Sequence, residues 1–183
     1  MTTPARPATA ELQAQLADGS LAGAWLLDSE RSTVTLRSKS MWGLAPVKGV
    51  FHEVEGTGTI SPAGEITGQI SVAAGSVDTN NRKRDTHLRS DDFFLSEKYP
   101  AITFTVSSLT LASEGASISG TLTVREQSHS MTLPATAAQL DDGAIALDVT
   151  LQIDRSDYGL TWNQMGMASM KNAIAIHAVF TKS

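Results

Sequence analysis

Apolar and polar residues alternate with a period of two through most of the chain from Trp25 onward. The segment AIALDVTLQID, residues 144–154, places Ile145, Leu147 and Val149 on one side and Asp148 and Thr150 on the other. Successive side chains of a β-strand point to opposite faces, so this period predicts half-buried strands with one apolar face. An amphipathic helix would instead repeat its apolar residues about every three to four positions.

Similar segments recur along the chain and are separated by turn-like sequences. Examples are SPAGE, residues 61–65, and DDGA, residues 141–144. About eight strands joined by hairpin connections predict an all-β domain, either a barrel or a sandwich. Threonine is abundant at the outward positions, as a solvated sheet surface favours.

The length of 183 residues suits one domain with a short extension. We expect residues 1–22 to form an N-terminal arm that is flexible or contains a short helix, and residues 23–183 to form the strand-rich domain. Within the arm, TAELQAQLADG can form a helix that has Leu12 and Leu16 on one face.

Composition excludes several classes of function. The net charge of -5 and the pI of about 5.3 argue against general binding to nucleic-acid phosphates. The chain has no cysteine, which excludes disulfides, thiolate nucleophiles and Cys-ligated zinc. No apolar run approaches the roughly 20 residues that span a bilayer, so we expect no integral membrane segment. The N-terminus shows no signal-peptide pattern, and the expected location is therefore the cytoplasm.

The charged segment NNRKRDTHLRSDDFFLSEKYP, residues 80–100, breaks the alternation. A short helix from about Asn81 would place Asp85 and Arg89 four residues apart on its surface. We consider three interpretations: a helix held by its own ion pairs, a polar clamp for an anionic head group, and a general acid/base site. The candidate head-group residues are Arg84, Asp85, His87 and Arg89.

A second irregular segment, DRSDYGLTWNQMGMASMKN, covers residues 154–172. Trp162, Met165, Met167 and Met170 fall within nine residues of it, and methionine adapts well to irregular apolar shapes. The segment could plug the core, dock on the barrel as a loop, or line a site for a flexible hydrocarbon. The inward positions of the strands include Gly68 and Gly120, which mildly favours a hollow interior over a filled one.

Motifs of known chemistry are missing from the sequence. There is no GxSxG, no phosphate-binding glycine loop, no GxGxxG and no HExxH. Glu126 and His129 have metal-ligand spacing but lie in a predicted turn, where that spacing does not bring two ligands together. We therefore expect no catalytic residues, no metal and no cofactor.

Four blocks of the sequence resemble the YceI-like polyisoprenoid-binding family. They are WLLDSERSTVTLRSKSMWGLAPVKGVF at residues 25–51, SVDTNNRKRDTHLRSDDFFLSEKYPAITF at 76–104, LTVREQSHSMTLPATA at 122–137 and IDRSDYGLTWN at 153–163. The resemblance runs in order over about residues 24–181.

This resemblance implies an extended eight-stranded antiparallel barrel, lipocalin-like, with short helices covering its ends. It also implies that residues 23–183 bind an isoprenoid lipid, such as a polyprenyl phosphate or an isoprenoid quinone, in an apolar tunnel for transport or storage. The expected ligand-binding residues are Trp42, Phe51, Phe93, Phe94, Phe104, Leu122, Met131, Leu151, Tyr158, Trp162, Met165, Met170 and Ile176.

Two other functions remain open on the sequence. One is an enzyme that acts on a small apolar substrate at the barrel mouth, with Arg84, Asp85 or His87 taking part. The other is a scaffold module that exposes an apolar patch near Trp42 or Trp162 to a protein partner. A homodimer is also a possible assembly.

Overall fold

The computed structural model describes residues 8–183. Within this range the chain forms two α-helices, α1 (Ala8–Ala17) and α2 (Arg82–Arg89). The strands are β1 (Gly23–Leu27), β2 (Thr33–Ser40), β3 (Ala45–Phe51), β4 (Val54–Ile60), β5 (Ile66–Ala73), β6 (Val77–Asp78), β7 (Ala101–Ala112), β8 (Gly115–Val124), β9 (Gln127–Gln139), β10 (Ile145–Asp154) and β11 (Lys171–Lys182).

Eight of these strands close into an antiparallel barrel, which confirms the predicted fold class. Around the ring the order is β1, β4, β5, β7, β8, β9, β10 and β11, and β11 returns to β1. The closing pair sets Trp25 opposite Lys182 and Leu27 opposite Phe180. Closure gives each strand of the ring two neighbours and encloses the apolar face of these eight strands.

The hairpin of β2 and β3 extends the wall beyond this ring. The long strand β11 pairs with β1 near its C-terminal end and with β2 through residues 173–177. β3 pairs with β2, and the two-residue strand β6 pairs with β3. The hairpin therefore projects past the ring at one end of the barrel, where a short turn at Met41–Gly43 joins its strands.

The helix α1 covers the other end of the barrel. It lies over β7 and β9, and its Leu12 is 1% exposed in an apolar cluster with Trp25 and Phe180. Thr9 donates a hydrogen bond to the carbonyl of Ser113 at 3.1 Å. A helix of this length is marginal in isolation, so its docking on the barrel stabilises it.

The two segments that interrupt the alternation meet at the end opposite α1. One contains α2 and the turns that follow it. The other runs from the end of β10 to the start of β11 and contains short 3-10 turns at Arg155–Tyr158 and Gln164–Gly166. Both segments are connections between strands, and together they surround the opening of the barrel.

Candidate functional site

The barrel encloses an apolar cavity of about 630 Å³. Inward side chains from every strand of the ring form its wall, among them Ile70, Val106, Ile118, Leu147 and Ile174. Sites for single small molecules generally measure about 300–1,000 Å³, so this hollow is of ligand-binding size. The interior of the barrel is therefore open space lined by aliphatic and aromatic side chains.

The end of the cavity under α1 is closed by apolar residues. Leu12, Leu16 and Leu21 contribute to this lining together with Trp25. Trp25 is 4% exposed, and its indole N–H donates to the carbonyl of Leu21 at 3.0 Å. The polar atom of this ring is thereby satisfied within the protein, and its apolar body faces the cavity.

The glycines on the inner face do not create the hollow by their small size. A Cβ atom at Gly68 would lie 2.6 Å from the carbonyl oxygen of Thr57, and one at Gly120 would lie 2.8 Å from the ring of Phe104. Glycine is needed there because a neighbouring backbone or ring already occupies the space. The hollow follows instead from the ring of aliphatic residues, which do not fill the middle of the barrel.

The helix α2 lies across the open end of the cavity, called the mouth below. Its first turn is capped by Asn81, whose side-chain oxygen accepts the Arg84 N–H at 3.0 Å. Arg84 donates from Nε to the Thr79 hydroxyl at 2.8 Å and from Nη2 to the Thr79 carbonyl at 3.0 Å. Lys83, Arg84 and His87 of this helix all line the cavity.

Asp85 and Arg89 anchor α2 to the chain before it. Asp85 is 6% exposed and accepts the Thr79 N–H at 2.9 Å and the Thr79 hydroxyl at 2.6 Å. Arg89 donates to the carbonyls of Gly75 at 2.7 Å and Val77 at 3.0 Å. The expected surface ion pair between Asp85 and Arg89 is wrong, because each side chain has a different partner in the fold.

An aromatic cluster borders the mouth. The imidazole of His87 lies edge-on to Trp162, with ring centroids 4.3 Å apart, and 5.1 Å from the ring of Phe93. Its Nε2 is 2.7 Å from a carboxylate oxygen of Asp92. His87 thus has an apolar side toward two rings and a polar contact toward the solvent-exposed surface of the mouth.

Arg155 supports the segment between β10 and β11. It is 5% exposed and donates to the carbonyls of Leu160 at 2.6 Å, Trp162 at 2.8 Å and Ser169 at 3.0 Å. Its guanidinium also lies 5.4 Å from the ring centre of Phe93. Burial lowers the pKa of the Arg155 guanidinium, and Asp154 opposes this change. Within residues 8–183, its Nη2 has no hydrogen-bond partner.

A family model for the YceI-like domain matches residues 25–181 of the chain. The chain belongs to the YceI-like family. The match covers almost all of the barrel, from β1 to β11, and it confirms the resemblance seen in the four sequence blocks.

Curated YceI proteins match part of the chain. Protein YceI of Escherichia coli O157:H7 is 36% identical over 95 residues, which is 51% of this chain and 50% of that protein. Protein YceI of Salmonella arizonae is 34% identical over the same length. The chain therefore spans about half the length of the curated relatives it matches.

Solved structures share the YceI-like fold. BcnA of Burkholderia cenocepacia aligns with a TM-score of 0.75 at 24% identity, over 84% of this chain and 98% of that one. A polyisoprenoid-binding domain from Saccharophagus degradans aligns with a TM-score of 0.70 at 21% identity, over 87% of this chain and 98% of that domain. The YceI protein of Campylobacter jejuni aligns with a TM-score of 0.61 at 28% identity, over 74% of this chain and 84% of that protein. Among residues 8–183, no helix has the length and apolar character required to cross a bilayer.

The structure brings together most of the residues expected to contact a ligand in this YceI-like barrel. Those that line the cavity are Phe51, Phe93, Phe94, Phe104, Leu122, Leu151, Tyr158, Trp162 and Ile176, with Arg84 and His87 at the mouth. Those outside the lining are Trp42, Met131, Met165, Met170, Asp85 and Arg89. Trp42 and Met165 are exposed at the tips of turns, and Met131 packs against the core opposite Gly120.

Three basic lining residues were not among the expected ones: Lys39, Lys83 and Arg155. For Arg155 the sequence does contain a signal. Val149, Leu151 and Ile153 line the cavity at every second position, and the same period continued by one step reaches Arg155. Lys39 and Lys83 carry no such signal, because their place at the mouth depends on how two distant segments meet.

Proposed function

We propose that this protein binds an isoprenoid lipid, with the hydrocarbon chain inside the barrel cavity and the head group at the mouth. The observation that carries the proposal is the apolar cavity of about 630 Å³, closed by leucines at one end and bordered by polar groups at the other. Each buried methylene-sized group contributes about 0.8 kcal/mol, so a prenyl chain gains affinity along its length. The family membership supports this class of ligand.

The mouth supports a polar or anionic head group. Lys39, Lys83, Arg84 and His87 line it, and donors of this kind hydrogen-bond a phosphate or a quinone carbonyl. A polyprenyl phosphate and an isoprenoid quinone are therefore the two head-group classes that we propose. Ionic and hydrogen-bond contacts at the mouth would orient the ligand, and the cavity would provide most of the binding free energy.

A pair of matched variants tests the location of the ligand. Val149→Trp places a large ring in the cavity, whereas Thr150→Trp places the same ring on the exposed outer face of the same strand. Solvent extraction and mass spectrometry of the purified proteins should find an isoprenoid in the wild type and in Thr150→Trp, and much less in Val149→Trp. Equal lipid in both variants would contradict binding inside the barrel.

We further infer that the protein carries or stores the lipid without converting it. Asp85, one candidate for acid/base chemistry, is buried and is held by two hydrogen bonds from Thr79. Incubation of the protein with polyprenyl phosphates and isoprenoid quinones should return them unchanged. Product formation that is lost in His87→Ala, with lipid binding retained, would favour the enzyme alternative.

The cytoplasmic location and the homodimer stay predictions. Fractionation of cells that express the full chain tests the first, and analytical ultracentrifugation tests the second.

A further inference from the structure

Four large apolar side chains are strongly exposed beside the mouth of the cavity. The exposed fractions are 54% for Met41, 65% for Trp42, 82% for Leu44 and 76% for Met165. We call these four residues the apolar tip. The first three lie on the turn between β2 and β3, and Met165 lies on the turn at Gln164–Gly166. Within residues 8–183, the other large apolar residue exposed to this degree is Leu26, on β1.

Hydrogen bonds hold the two turns of the apolar tip together. The Trp42 N–H donates to the carbonyl of Met167 at 3.2 Å, and the Ser169 N–H donates to the carbonyl of Lys39 at 2.9 Å. Met41, Trp42 and Met165 have φ angles of 51°, 54° and 54°, a left-handed conformation that is unfavourable for residues other than glycine. The fold therefore maintains an arrangement that presents these side chains to the surroundings.

The apolar tip borders the cavity. Its neighbours in the chain, Lys39, Ser40, Gln164 and Met167, all line the cavity. A surface that covered the tip would also lie at the mouth, where a ligand enters and leaves.

The charge around the tip is positive although the chain as a whole carries -5. Residues 33–52 contain Arg37, Lys39 and Lys48 and no acidic residue, whereas Lys171 lies opposite Asp154 in the pair of β10 and β11. Arg37 and Lys48 lie directly opposite each other on β2 and β3, a like-charge pair that is unfavourable in a sheet. Within residues 8–183, no carboxylate lies within 4.0 Å of the charged groups of Arg37, Lys39 or Lys48.

We propose that the apolar tip docks on an anionic phospholipid membrane, with the mouth of the cavity facing the bilayer. Exposed tryptophan, leucine and methionine favour the interfacial layer of a membrane, and basic residues beside them favour anionic head groups. This combination of an apolar protrusion with a basic surround fits a lipid surface better than a protein partner. The proposal does not depend on the ligand in the cavity, although it would let a water-insoluble ligand transfer without crossing water.

Vesicle flotation of the full chain tests this docking. The vesicles contain phosphatidylcholine with or without phosphatidylglycerol, and they contain no isoprenoid. The protein should float with the anionic vesicles, and its tryptophan emission should shift to shorter wavelength in the wild type but not in Trp42→Ser, which retains Trp25 and Trp162. Trp42→Ser and Met165→Ser should each weaken partitioning about tenfold, and the control Leu26→Ser should leave it unchanged.

The basic residues have a separate effect in the same assay. Lys39→Gln and Lys48→Gln should each weaken binding to the anionic vesicles about fivefold, and added salt should weaken binding of the wild type. Binding that is independent of phosphatidylglycerol would contradict the electrostatic part of the proposal.

Two results would overturn the proposal. One is flotation that is equal for the wild type and Trp42→Ser, or absent for both. The other is a homodimer or a protein complex that Trp42→Ser dissociates, because the tip would then be a protein interface. Val149→Trp should still float, so a failure of isoprenoid binding and a failure of membrane docking are distinguishable.

Discussion

Arg155 is a buried residue that braces one of the two segments at the mouth. Its guanidinium joins three backbone carbonyls of the segment between β10 and β11. Arginine suits this position because its planar group donates several hydrogen bonds in fixed directions. Lysine carries the same charge, but its three N–H donors share one nitrogen, whereas Arg155 meets these carbonyls from two nitrogens, Nε and Nη1.

Arg155→Lys should therefore lower the free energy of unfolding by about 2–3 kcal/mol, because buried carbonyls lose their donors. Urea denaturation measures this loss through the transition midpoint. The matched control is Arg37→Lys on the exposed face of β2, where we expect a change within about 0.5 kcal/mol. Equal effects of the two substitutions would contradict the bracing role of Arg155.

Asp154 stabilises the start of the same segment through hydrogen bonds from Ser156. Its carboxylate accepts the Ser156 N–H at 3.0 Å and the Ser156 hydroxyl at 2.5 Å. These hydrogen bonds lower the pKa of the Asp154 carboxyl, and the bond from the Ser156 hydroxyl has the larger effect. The Asp154 carboxyl therefore binds a proton more readily in the unfolded chain than in the folded one. As a result, its ionised form stabilises the fold at pH values above the ordinary aspartate pKa, and this stabilisation is lost as the pH falls.

Asp154→Ala should lower the Tm at neutral pH, and the difference in Tm between the variant and the wild type should narrow as the pH falls below about 4. Thermal unfolding followed by circular dichroism over a pH series measures the gap. A gap that stays constant down to pH 2 would show that the ionised carboxylate is not what stabilises the turn.

At the scale of elements, the helix α1 depends on its contacts with the barrel for its order. It covers the end of the cavity through Leu12 and Leu16, and its polar contacts to the barrel include Gln13 to the carbonyl of Leu111 at 2.9 Å. A helix of ten residues does not persist alone in water. Its order is therefore coupled to the apolar surface that it covers.

Leu12→Ala should weaken the docking of α1 by about 2–4 kcal/mol, because Leu12 is fully buried. Hydrogen exchange should then show faster exchange in the amides of α1, with little change in the central strands of the barrel. The matched control is Glu11→Ala, on an exposed position of the same helix. Uniform loss of protection across the barrel would show that α1 belongs to the main cooperative unit.

At the scale of the whole molecule, the barrel combines a tightly paired wall with an open interior. The hydrogen-bonded ring keeps its shape without side chains that meet in the middle. Apolar surface that faces this cavity is not fully packed, so a bound hydrocarbon would add contacts that the protein lacks. A ligand that binds only the folded barrel stabilises it by mass action.

Added isoprenoid should therefore raise the Tm with the logarithm of its free concentration, and the stabilisation should reach about 2.7 kcal/mol at a hundredfold excess over Kd. Differential scanning calorimetry of delipidated protein measures this shift. Val149→Trp should show little or no shift with the same ligand, and Thr150→Trp should respond as the wild type does. A shift that is the same in Val149→Trp would contradict occupation of the cavity.

The placement of individual residues shows how far sequence reasoning extends. Phe104, Leu122 and Leu151 could be assigned to the cavity because they occupy inward positions of long alternating strands. Trp42 and Met165 could not be placed in this way, because they lie in turns without a period. Asp85 was expected on the surface of α2, and its burial depends on the position of Thr79 in a neighbouring segment.

The period of two determined by itself that this chain forms strands with one apolar face, because side-chain direction along a strand is a local property. The tertiary structure alone decided that β11 meets β1 to close the barrel and that the enclosed space stays open. It also decided that residues 41–44 and Met165, far apart in the chain, form one exposed apolar tip beside the mouth. Each of these outcomes depends on pairing and packing between distant segments, which no local pattern encodes.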